Sequence, residues 1–404
     1  MFYALMNNCI TWQFIENHRD DDIRRLALQG CPQHDVDFSF ALQQIAGRQK
    51  IKNKLPLLYA HSQICYPNSL ALEQCSSQET AHYKAKLAQG TTLLDLTAGF
   101  GIDAMAFSSQ IQQVIAVERQ AELCVILQHN AAILQLNNIK VVNADATDFL
   151  ASCEPADTIY LDPARRNAQG RKVADLMQCE PNILHIRQLL LKKCRKRVII
   201  KLSPMIDLKA TSRQLPEVSE IYVVAMHNEC KEILFIINNY EISENQHINN
   251  EPIITAIDLA MPQKMPFRYC WKEEASASLQ LSDGVADYLY EPHAALMKAG
   301  AYKLLTVHYR IGALHRNTHL YTSSYPIVNF PGHCYQVKSV LPFNKNDLKN
   351  LHKTVPCANV AVRNFPLSAE ALKKCLKIRD GSNIFLFGVT LQNEKRVVIL
   401  CERI

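Results

Sequence analysis

Short apolar runs alternate with amphipathic segments through the middle of the chain. Seven runs have the length and the branched residues of buried strands: TTLLDL, QVIAVE, IKVVNA, DTIYLD, RVIIKLS, EIYVVAMH and EILFIINN. Helical segments separate the first five, which predicts a parallel, doubly wound α/β sheet. Only residues 228–231 separate the last two runs. We therefore expect these two to form an antiparallel hairpin at the edge of the sheet.

The regions on either side have different patterns. Residues 1 to about 85 carry apolar side chains at three- and four-residue spacings, interrupted by Pro32 and Pro56, which predicts a helical N-terminal region. The polar, asparagine-rich stretch 241–252 is typical of a linker. Beyond it, the last part of the chain has the pattern strand, helix, strand, helix, strand, strand, which predicts a compact α+β module.

Composition bounds the class of protein. With 404 residues, 48% of them hydrophobic and 20% charged, the chain is a folded protein of two or three domains. Its 14 cysteines are scattered singly without a CxxC pair, which favours reduced thiols over disulfides or metal ligands. We find no charged and apolar leader and no apolar run near the roughly 20 residues that cross a bilayer. We expect a cytoplasmic protein that binds neither membrane nor metal.

Positive charge is concentrated in one part of the chain. The net charge is +6, but residues 162–201 alone carry 11 Lys or Arg against three acids, a balance of +8 that leaves −2 for the rest. Such a stretch favours contact with a polyanion. A solvated helix face is the more ordinary interpretation.

A glycine turn follows the first predicted strand. Asp95 ends that strand, and Gly99 and Gly101 let the backbone turn sharply and approach a ligand before the next helix. With Ala104 and Glu118, the same glycines also fit a dinucleotide fingerprint. Asp95 argues against a dinucleotide, because a carboxylate there would repel its pyrophosphate. The same carboxylate suits a cofactor that carries a cationic amino group.

Acids also end the later strands. Asp145 follows the third run and Asp162 ends the fourth, so that with Asp95 and Glu118 they line the carboxyl edge of the predicted sheet. Ligands of open α/β folds bind at that edge. The alternative interpretation is that these acids only cap the helices that follow.

Residues 75–240 resemble the class I S-adenosylmethionine-dependent methyltransferases, whose seven-stranded Rossmann-like sheet has an antiparallel last strand. The resemblance implies S-adenosylmethionine as the cofactor. It implies three groups of contacts: Asp95, Thr97, Gly99, Phe100 and Gly101 at the methionine part, Glu118 at the ribose, and Asp145 with Ala146 at the adenine. Ser77 and Thr80, for which helix capping is the slightly favoured interpretation, are weaker candidates for the methionine carboxylate.

The motif YLDPARRN marks the predicted catalytic position. Members of this class that methylate amino groups carry Asp or Asn, two prolines and an aromatic residue at this strand end. Asp162 and Pro163 match this pattern and are the implied catalytic residues, whereas Ala164 and Arg165 replace the second proline and the aromatic ring. Arg165 and Arg166 suit stacking on a base or contact with a phosphate. The sequence places no nucleophilic cysteine at this strand end, which disfavours methylation of a pyrimidine carbon.

The whole chain is similar to a bacterial family that joins a helical N-terminal region, this methyltransferase core, a ferredoxin-like segment and a THUMP-like domain. The implied boundaries are 1–85, 86–240, 241–330 and 331–404. The motifs that carry the similarity are ALQQIAGRQKIKNKLP, LEQCSSQETAHYKAKL, DLTAGFGID, YLDPARRN and VRNFPLSAEALKKCLKIRDG. THUMP domains elsewhere deliver RNA to modifying enzymes, so the resemblance implies rRNA or tRNA as the partner.

We therefore expect a methyltransferase that modifies a base nitrogen of structured RNA. Two alternatives remain: a protein or small-molecule methyltransferase, and a non-catalytic RNA-binding or scaffold protein with a residual cofactor fold. The motif HRNTH, from His315 to His319, has the four-residue spacing of zinc ligands on a helix. Asn317 and Thr318 disfavour a helix there, so we expect no metal site.

Overall fold

The fold is taken from a computed structural model that describes residues 8–31, 33–165, 176–239, 251–349 and 351–404. Its contacts divide the chain into two units. The first comprises Met1–Ser219 and Leu234–Asn250, and the second Glu220–Ile233 and Glu251–Ile404. Within the described ranges, none of the helices has the length and apolar character that a bilayer span requires.

In the described part of the N-terminal region, six helices precede the first strand, which confirms the helical pattern predicted there. They are α1 Cys9–Asn17, α2 Ile23–Gln29, α3 Phe38–Ile51, α4 Pro56–Tyr59, α5 Ser69–Gln74 and α6 Gln78–Leu87. Side-chain oxygens cap the start of five of them and accept hydrogen bonds from backbone N–H groups, as these residue types favour. Pro56 opens α4, where its missing N–H costs nothing. Pro32 lies outside the described residues.

The strands predicted from the apolar runs are all present. They are β1 Thr92–Asp95, β2 Gln113–Glu118, β3 Ile139–Asn143, β4 Ala156–Leu161, β7 Cys194–Leu202, β8 Glu220–Met226 and β9 Glu229–Asn238. Between β4 and β7 in the sequence, β5 Ala164–Arg165 and β6 Cys179–Glu180 form a separate two-stranded ribbon. The helices that alternate with them are α7 Ile102–Phe107, α8 Ala121–Ile133, α9 Ala146–Ser152, α10 Ile183–Lys193 and α11 Leu208–Gln214. The pairs β1–β2, β2–β3, β1–β4 and β4–β7 are parallel, as predicted.

The sheet has nine strands, so the expected count of seven does not describe it. Its order is β11-β10-β8-β9-β7-β4-β1-β2-β3, with β10 Ile253–Asp258 and β11 Phe267–Tyr269 added after the core. Strand β10 is parallel to β8 and antiparallel to β11. Without them β8 would present unpaired backbone groups at the sheet edge, and the two added strands cover that edge.

The second unit also contains a seven-stranded sheet in the order β13-β14-β12-β15-β18-β17-β16. Its elements are α12 Trp271–Ser276, β12 Tyr288–Pro292, α13 Ala294–Ala299, α14 Tyr302–Tyr309, β13 Gly312–Ala313, β14 Tyr321–Ser323, β15 Gly332–Pro342, α15 Lys345–Leu348, α16 Leu351–Thr354, β16 Asn359–Arg363, α17 Ala369–Leu376, β17 Ile384–Thr390 and β18 Arg396–Arg403. From β15 to β18 the predicted order of strands and helices is confirmed, with two short helices in place of one.

Both faces of this second sheet are buried. Successive residues of one strand point to opposite faces, and Leu386 and Phe387 accordingly belong to different apolar clusters. Val398 and Ile399 of the paired strand divide in the same way. The last part of the chain therefore has a core on each side of its sheet.

The motif HRNTH lies in a turn, which confirms that it is not helical. Nδ1 of His315 accepts a hydrogen bond from the backbone N–H of Asn317 at 3.0 Å, and the ring of His319 stacks on Tyr302. Among the residues that the structure describes, no group of three or more His, Cys, Asp and Glu side chains is arranged to hold a metal ion. The two histidines of the motif therefore have structural partners.

Candidate functional site

The carboxyl ends of parallel, neighbouring strands bring the predicted residues to one edge of the nine-stranded sheet. Asp95 ends β1, Glu118 ends β2, and Asp162 directly follows β4. Lys201, one residue before the end of β7, reaches the same edge. Asp145 follows β3 there too, but its side chain is exposed. This edge is therefore the candidate site.

The glycine turn after β1 is tied to the neighbouring strand. The backbone N–H of Gly99 donates to Oε2 of Glu118 at 2.9 Å. Gly99 and Gly101 have φ values of 55° and 89°, which other residues adopt only with strain. A side chain at Gly101 would lie 2.1 Å from Leu127, whereas one at Gly99 would meet nothing nearer than 3.9 Å. Gly101 is thus required for packing, and Gly99 borders open space.

Asp95 is completely buried. Its Oδ1 accepts from the backbone N–H of Thr97 at 3.0 Å, but its Oδ2 has no hydrogen-bond partner among the described residues. Burial raises the pKa of Asp95 well above its ordinary value, and the carboxylates of Asp103, Asp162 and Glu118 raise it further, against the Thr97 hydrogen bond. Buried polar atoms are normally paired, so this oxygen indicates that a donor arrives with a ligand.

Glu118 is held by two backbone donors. Its Oε1 accepts from the N–H of Gln120 at 2.8 Å, and its Oε2 accepts from Gly99. The side chain is 8% exposed. Each carboxylate oxygen can accept a second hydrogen bond, so this fixed group is suited to bind a pair of hydroxyls.

The residues predicted around these acids differ in their surroundings. Phe100 is buried, with its ring centroid 6.5 Å from that of Tyr66. Asp145 caps α9, as the alternative interpretation had it, because its Oδ1 accepts from the N–H of Thr147 at 2.8 Å. Ala146 is the buried first residue of that helix.

Ser77 caps helix α6, and Thr80 lies one turn further. The N–H of Thr80 donates to Oγ of Ser77 at 3.3 Å, and the hydroxyl of Thr80 donates to the carbonyl of Ser77 at 3.2 Å. The structure thus confirms the capping interpretation, and a contact with a ligand stays a prediction.

Asp162 connects three strand ends. Its backbone N–H donates to Oγ1 of Thr97 at 2.6 Å, and its Oδ2 accepts from Nζ of Lys201 at 2.5 Å. Its side chain is 34% exposed, so part of the carboxylate faces outward. Pro163, the other residue of the predicted catalytic pair, is buried behind it.

A buried polar network behind Asp162 was not predicted. Oγ of Ser76 donates to Oδ2 of Asp103 at 2.9 Å and accepts from Nζ of Lys84 at 2.9 Å. The hydroxyl of Tyr160 donates to the same Asp103 oxygen at 2.7 Å, and Nζ of Lys201 lies 3.4 Å from Ser76 Oγ. Burial alone would raise the pKa of Asp103, but Lys84 and Lys201, with these hydroxyls, lower it.

One member of this network carried a signal in the sequence. Lys201 is a charged residue inside the otherwise apolar run VIIKL, near the carboxyl end of β7. Lys84 sits on an amphipathic helix and Asp103 in the first turn of α7, where charged residues are ordinary. Those two could be recognised only from the tertiary structure.

The basic stretch does not form one surface in its described part. Lys192, Arg195 and Lys196 lie at the amino end of β7, and six residues of extended chain, roughly 20 Å, separate Arg195 from Lys201. The backbone of Arg165 belongs to β5, which pairs with β6. Arg166 lies outside the described residues, as does the rest of 166–175. The substrate contacts predicted for both arginines stay predictions.

Three family models match parts of the chain. Residues 79–213 match a family described as conserved hypothetical protein 95, residues 288–331 a ferredoxin-like domain, and residues 332–403 a THUMP domain-like family. The THUMP domain-like match lies within the proposed region 331–404, and the ferredoxin-like match covers residues 288–330 of the proposed region 241–330 and extends one residue beyond it. The boundaries of both regions stay predictions.

Curated relatives match only partly. Ribosomal RNA small subunit methyltransferase J of Hydrogenovibrio crunogenus is 29% identical over 141 residues, 28% of this chain. The tRNA/tmRNA (uracil-C(5))-methyltransferase of Edwardsiella ictaluri is 26% identical over 168 residues, 38% of this chain. The chain spans 49% and 43% of the lengths of these two proteins.

A solved structure matches nearly the whole chain. It is that of a suspected methyltransferase from Porphyromonas gingivalis, which is 33% identical and superposes with a TM-score of 0.87 over 99% of this chain and 98% of that chain. Together with the strand-end acids and the two C-terminal domain matches, this likeness shows that the chain belongs to the bacterial family of class I S-adenosylmethionine-dependent methyltransferases with ferredoxin-like and THUMP-like domains.

Proposed function

We propose that this protein is an S-adenosylmethionine-dependent methyltransferase that methylates a base nitrogen of structured RNA, either rRNA or tRNA. The observation that carries the proposal is the unpartnered, buried Oδ2 of Asp95 beside the open side of Gly99. Asp162 lies at the same edge, with an outward-facing carboxylate. These two acids suit a cationic cofactor and an amino group that is to be methylated.

The residues present fit this cofactor. The amino group of its methionine part would donate to Asp95 Oδ2, and Glu118 would accept from its ribose hydroxyls. Gly99 and Gly101, with Thr97 and Phe100, form the turn at the methionine part. Asp145 and Ala146 are proposed at the adenine, and Ser77 with Thr80 at the carboxylate. When bound, the cofactor supplies an already activated methyl group.

The arrangement of seven of the nine strands supports the same assignment. Taken alone, β8-β9-β7-β4-β1-β2-β3 would be the seven-stranded sheet of the class, with β9 as its antiparallel strand. Only His227 and Asn228 connect β8 to β9, and their φ values are 53° and 60°. Two such residues are typical of the type I′ turn of an antiparallel hairpin.

The protein's part in methyl transfer is mainly alignment. Asp162 accepts a hydrogen bond from the target amino group and so directs its lone pair towards the methyl. Thr97 fixes the backbone of Asp162, and the ring of Pro163 restricts the chain that follows. A nitrogen target needs no nucleophilic side chain of the protein, because the nitrogen itself attacks the methyl group.

A carbon target would need an activated thiol at this edge. Cys75 is close enough for Asp103 and Lys201 to influence its titration, but burial raises its pKa, and its thiol donates to the carbonyl of Leu72 at 3.2 Å. A buried thiol with a raised pKa is a poor nucleophile. This favours nitrogen over carbon, even though one curated relative is named as a uracil C5 enzyme.

Three observations support RNA as the substrate. Both curated relatives are named as enzymes that modify RNA, and the last domain matches a THUMP domain-like family. The arginines at positions 165 and 166 follow the catalytic motif, where a phosphate or a splayed base would lie.

Incorporation of labelled methyl groups tests the substrate. RNA and protein from cells that lack this protein are incubated with it and with methyl-labelled S-adenosylmethionine. We expect label in rRNA or tRNA, on a base nitrogen after digestion to nucleosides. Label in protein alone, or in neither, contradicts the proposal. Calorimetry with S-adenosylhomocysteine, and with NAD as the competing class, tests the cofactor independently, and a non-catalytic scaffold would give no label at all.

Substitution of the catalytic carboxylate gives a sharper test. We expect Asp162→Ala to lower the methylation rate by about 10³-fold, because alignment and hydrogen-bond acceptance are both lost. Affinity for S-adenosylhomocysteine should stay within about threefold of the wild type, since Asp162 is assigned to the substrate. Glu154→Ala, an exposed acid at the other edge of the sheet, is the control. A parallel loss of cofactor affinity would mean that Asp162 shapes the cofactor pocket instead.

A further inference from the structure

We propose that Lys201 is a positioning residue for Asp162: it saturates one carboxylate oxygen and leaves the other facing the target amino group. The inference rests on the proposed function and adds a residue to it. Four steps support it: the register of two strands, the contact itself, the groups that hold Lys201, and the balance of charge around it.

The register of the sheet places the two residues side by side. Strands β4 and β7 are parallel, and Leu161 is paired with Ile200. Asp162, which directly follows β4, and Lys201 of β7 therefore lie side by side at the carboxyl ends of these strands. A shift of one residue would turn Lys201 to the other face of the sheet. The pairing is thus set by the fold.

The contact between them is short and partly shielded from water. Nζ of Lys201 donates to Oδ2 of Asp162 at 2.5 Å, and the two side chains are 12% and 34% exposed. Charge-assisted hydrogen bonds of this kind are stronger and more directional than neutral ones. Because Thr97 also fixes the backbone of Asp162, the carboxylate has little freedom left.

Lys201 is itself held from behind. Its Nζ lies 3.4 Å from Oγ of Ser76, which also contacts Lys84 and Asp103. Ser76 precedes α6, so a residue of the N-terminal region supports the strand end at which the amino group is expected. Lys201 is therefore fixed at both sides of its ammonium group.

Positive and negative groups alternate through this cluster. Asp162 contacts Lys201, Ser76 bridges Lys201 to Asp103, and Nζ of Lys84 lies 3.2 Å from Oδ1 of Asp103. Two lysines thus balance two carboxylates inside a site that also contains Asp95. Loss of Lys201 would remove the ammonium group that contacts the Asp162 carboxylate among the described residues, and would leave that carboxylate freer to rotate. Turnover should fall more than cofactor binding, because Asp95 and Glu118 keep their contacts.

The test removes the ammonium group and then supplies it again. Lys201→Ala is assayed with labelled S-adenosylmethionine on RNA from cells that lack the protein. We expect kcat to fall by about a hundredfold while the affinity for S-adenosylhomocysteine stays within about threefold. Added propylammonium, which carries N–H donors, should restore kcat by about tenfold, and tetramethylammonium, which carries none, should not.

The matched control is Lys196→Ala, an exposed lysine on the same strand at the opposite edge. It should change neither kcat nor the response to amines. An unchanged kcat in Lys201→Ala, or a loss that propylammonium does not restore although cofactor affinity is intact, overturns the inference. A loss of cofactor affinity together with kcat also overturns it, because it assigns Lys201 to the cofactor pocket.

Failure of the proposed function is recognised separately, because the wild type would then label no RNA. The pairing itself is followed by nitrogen-15 NMR of labelled lysine ammonium groups. A slowly exchanging signal that disappears in Lys201→Arg and in Asp162→Asn supports the pairing with or without methyl transfer. The absence of an Asp162-dependent signal overturns the inference even if RNA is methylated.

Discussion

Two buried aspartates at opposite edges of the nine-stranded sheet have opposite surroundings. Asp157, at the amino end of β4, is 7% exposed, and its Oδ2 accepts from the N–H groups of Thr91 and Thr92 at 2.7 and 3.2 Å, and from both hydroxyls. Asp95, at the carboxyl end of the neighbouring strand β1, accepts one hydrogen bond and leaves one oxygen unpartnered. The Asp157 carboxylate thus accepts four hydrogen bonds, whereas the Asp95 carboxylate accepts one and keeps a buried oxygen that has no partner among the described residues.

Their pKa shifts differ in direction for the same reason. Burial opposes ionisation of both, but the hydrogen bonds from Thr91 and Thr92, together with the charge of Lys196, lower the pKa of Asp157. At Asp95 burial prevails and raises the pKa. A buried acid whose charge is met by several hydrogen bonds stabilises the fold, whereas one with a buried, unpartnered oxygen is suited to a ligand. This contrast separates the structural edge of the sheet from the edge that we assign to function.

Removal of Asp157 should have the largest effect on folding. Asp157→Ala leaves the backbone N–H groups of Thr91 and Thr92 without acceptors in a partly buried position, and we expect a loss of about 3 kcal/mol in the free energy of unfolding. Urea denaturation measures it. Cofactor affinity of the folded fraction should not change. A loss below about 1 kcal/mol would mean that water replaces the carboxylate, and the contrast between the edges would then not hold.

Substitution of Asp95 should weaken cofactor binding more than it lowers the stability of the fold. Asp95→Asn keeps an acceptor for Thr97 but cannot offer a negative charge to a cationic amino group. We expect a loss of about 2 kcal/mol in binding of S-adenosylhomocysteine, roughly thirtyfold in Kd, measured by calorimetry. Unfolding by urea should change by no more than about 1 kcal/mol. If stability falls as far as in Asp157→Ala, then Asp95 is a structural acid and the cofactor assignment loses its main support.

Much of the fold could be predicted from the sequence because parallel strands leave a strong signal. A strand buried on both faces is a continuous apolar run, and the runs ending at Asp95, Glu118 and Asp162 were recognised in this way. Strands β10 and β11 were missed as parts of this sheet, since residues 253–269 follow a polar stretch and carry no sign of which sheet they join. Pairing between distant segments is decided by tertiary contacts.

The candidate site was predictable to the extent that it lies at strand ends. Asp95, Glu118 and Asp162 follow directly from the strand pattern, and the structure brings them to one edge. Lys84 on helix α6 and Ser76 just before that helix were missed, because no local pattern reveals that they reach the site. The sequence also could not show that the basic stretch is divided, because the length of β7 separates Arg195 from Lys201.

The dependence of stability on pH should distinguish the two edges by the smallest but most specific effect. Asp157 has a lowered pKa, so its contribution to stability is present above the unfolded value of about 3.9 and is lost as pH falls through the folded pKa.

Asp95 has a raised pKa, because burial and the nearby Asp103, Asp162 and Glu118 favour its neutral form. It therefore destabilises the fold as pH rises from about 3.9 through the folded pKa. Relative to the wild type, Asp95→Asn should therefore gain unfolding free energy as pH rises above about 4, whereas the deficit of Asp157→Asn should shrink only below about pH 4. Urea unfolding at a series of pH values measures both. Parallel pH profiles for the two variants would show that the second oxygen of Asp95 has a stabilising partner within the fold, and the two ends of the strands would then not differ in the way proposed.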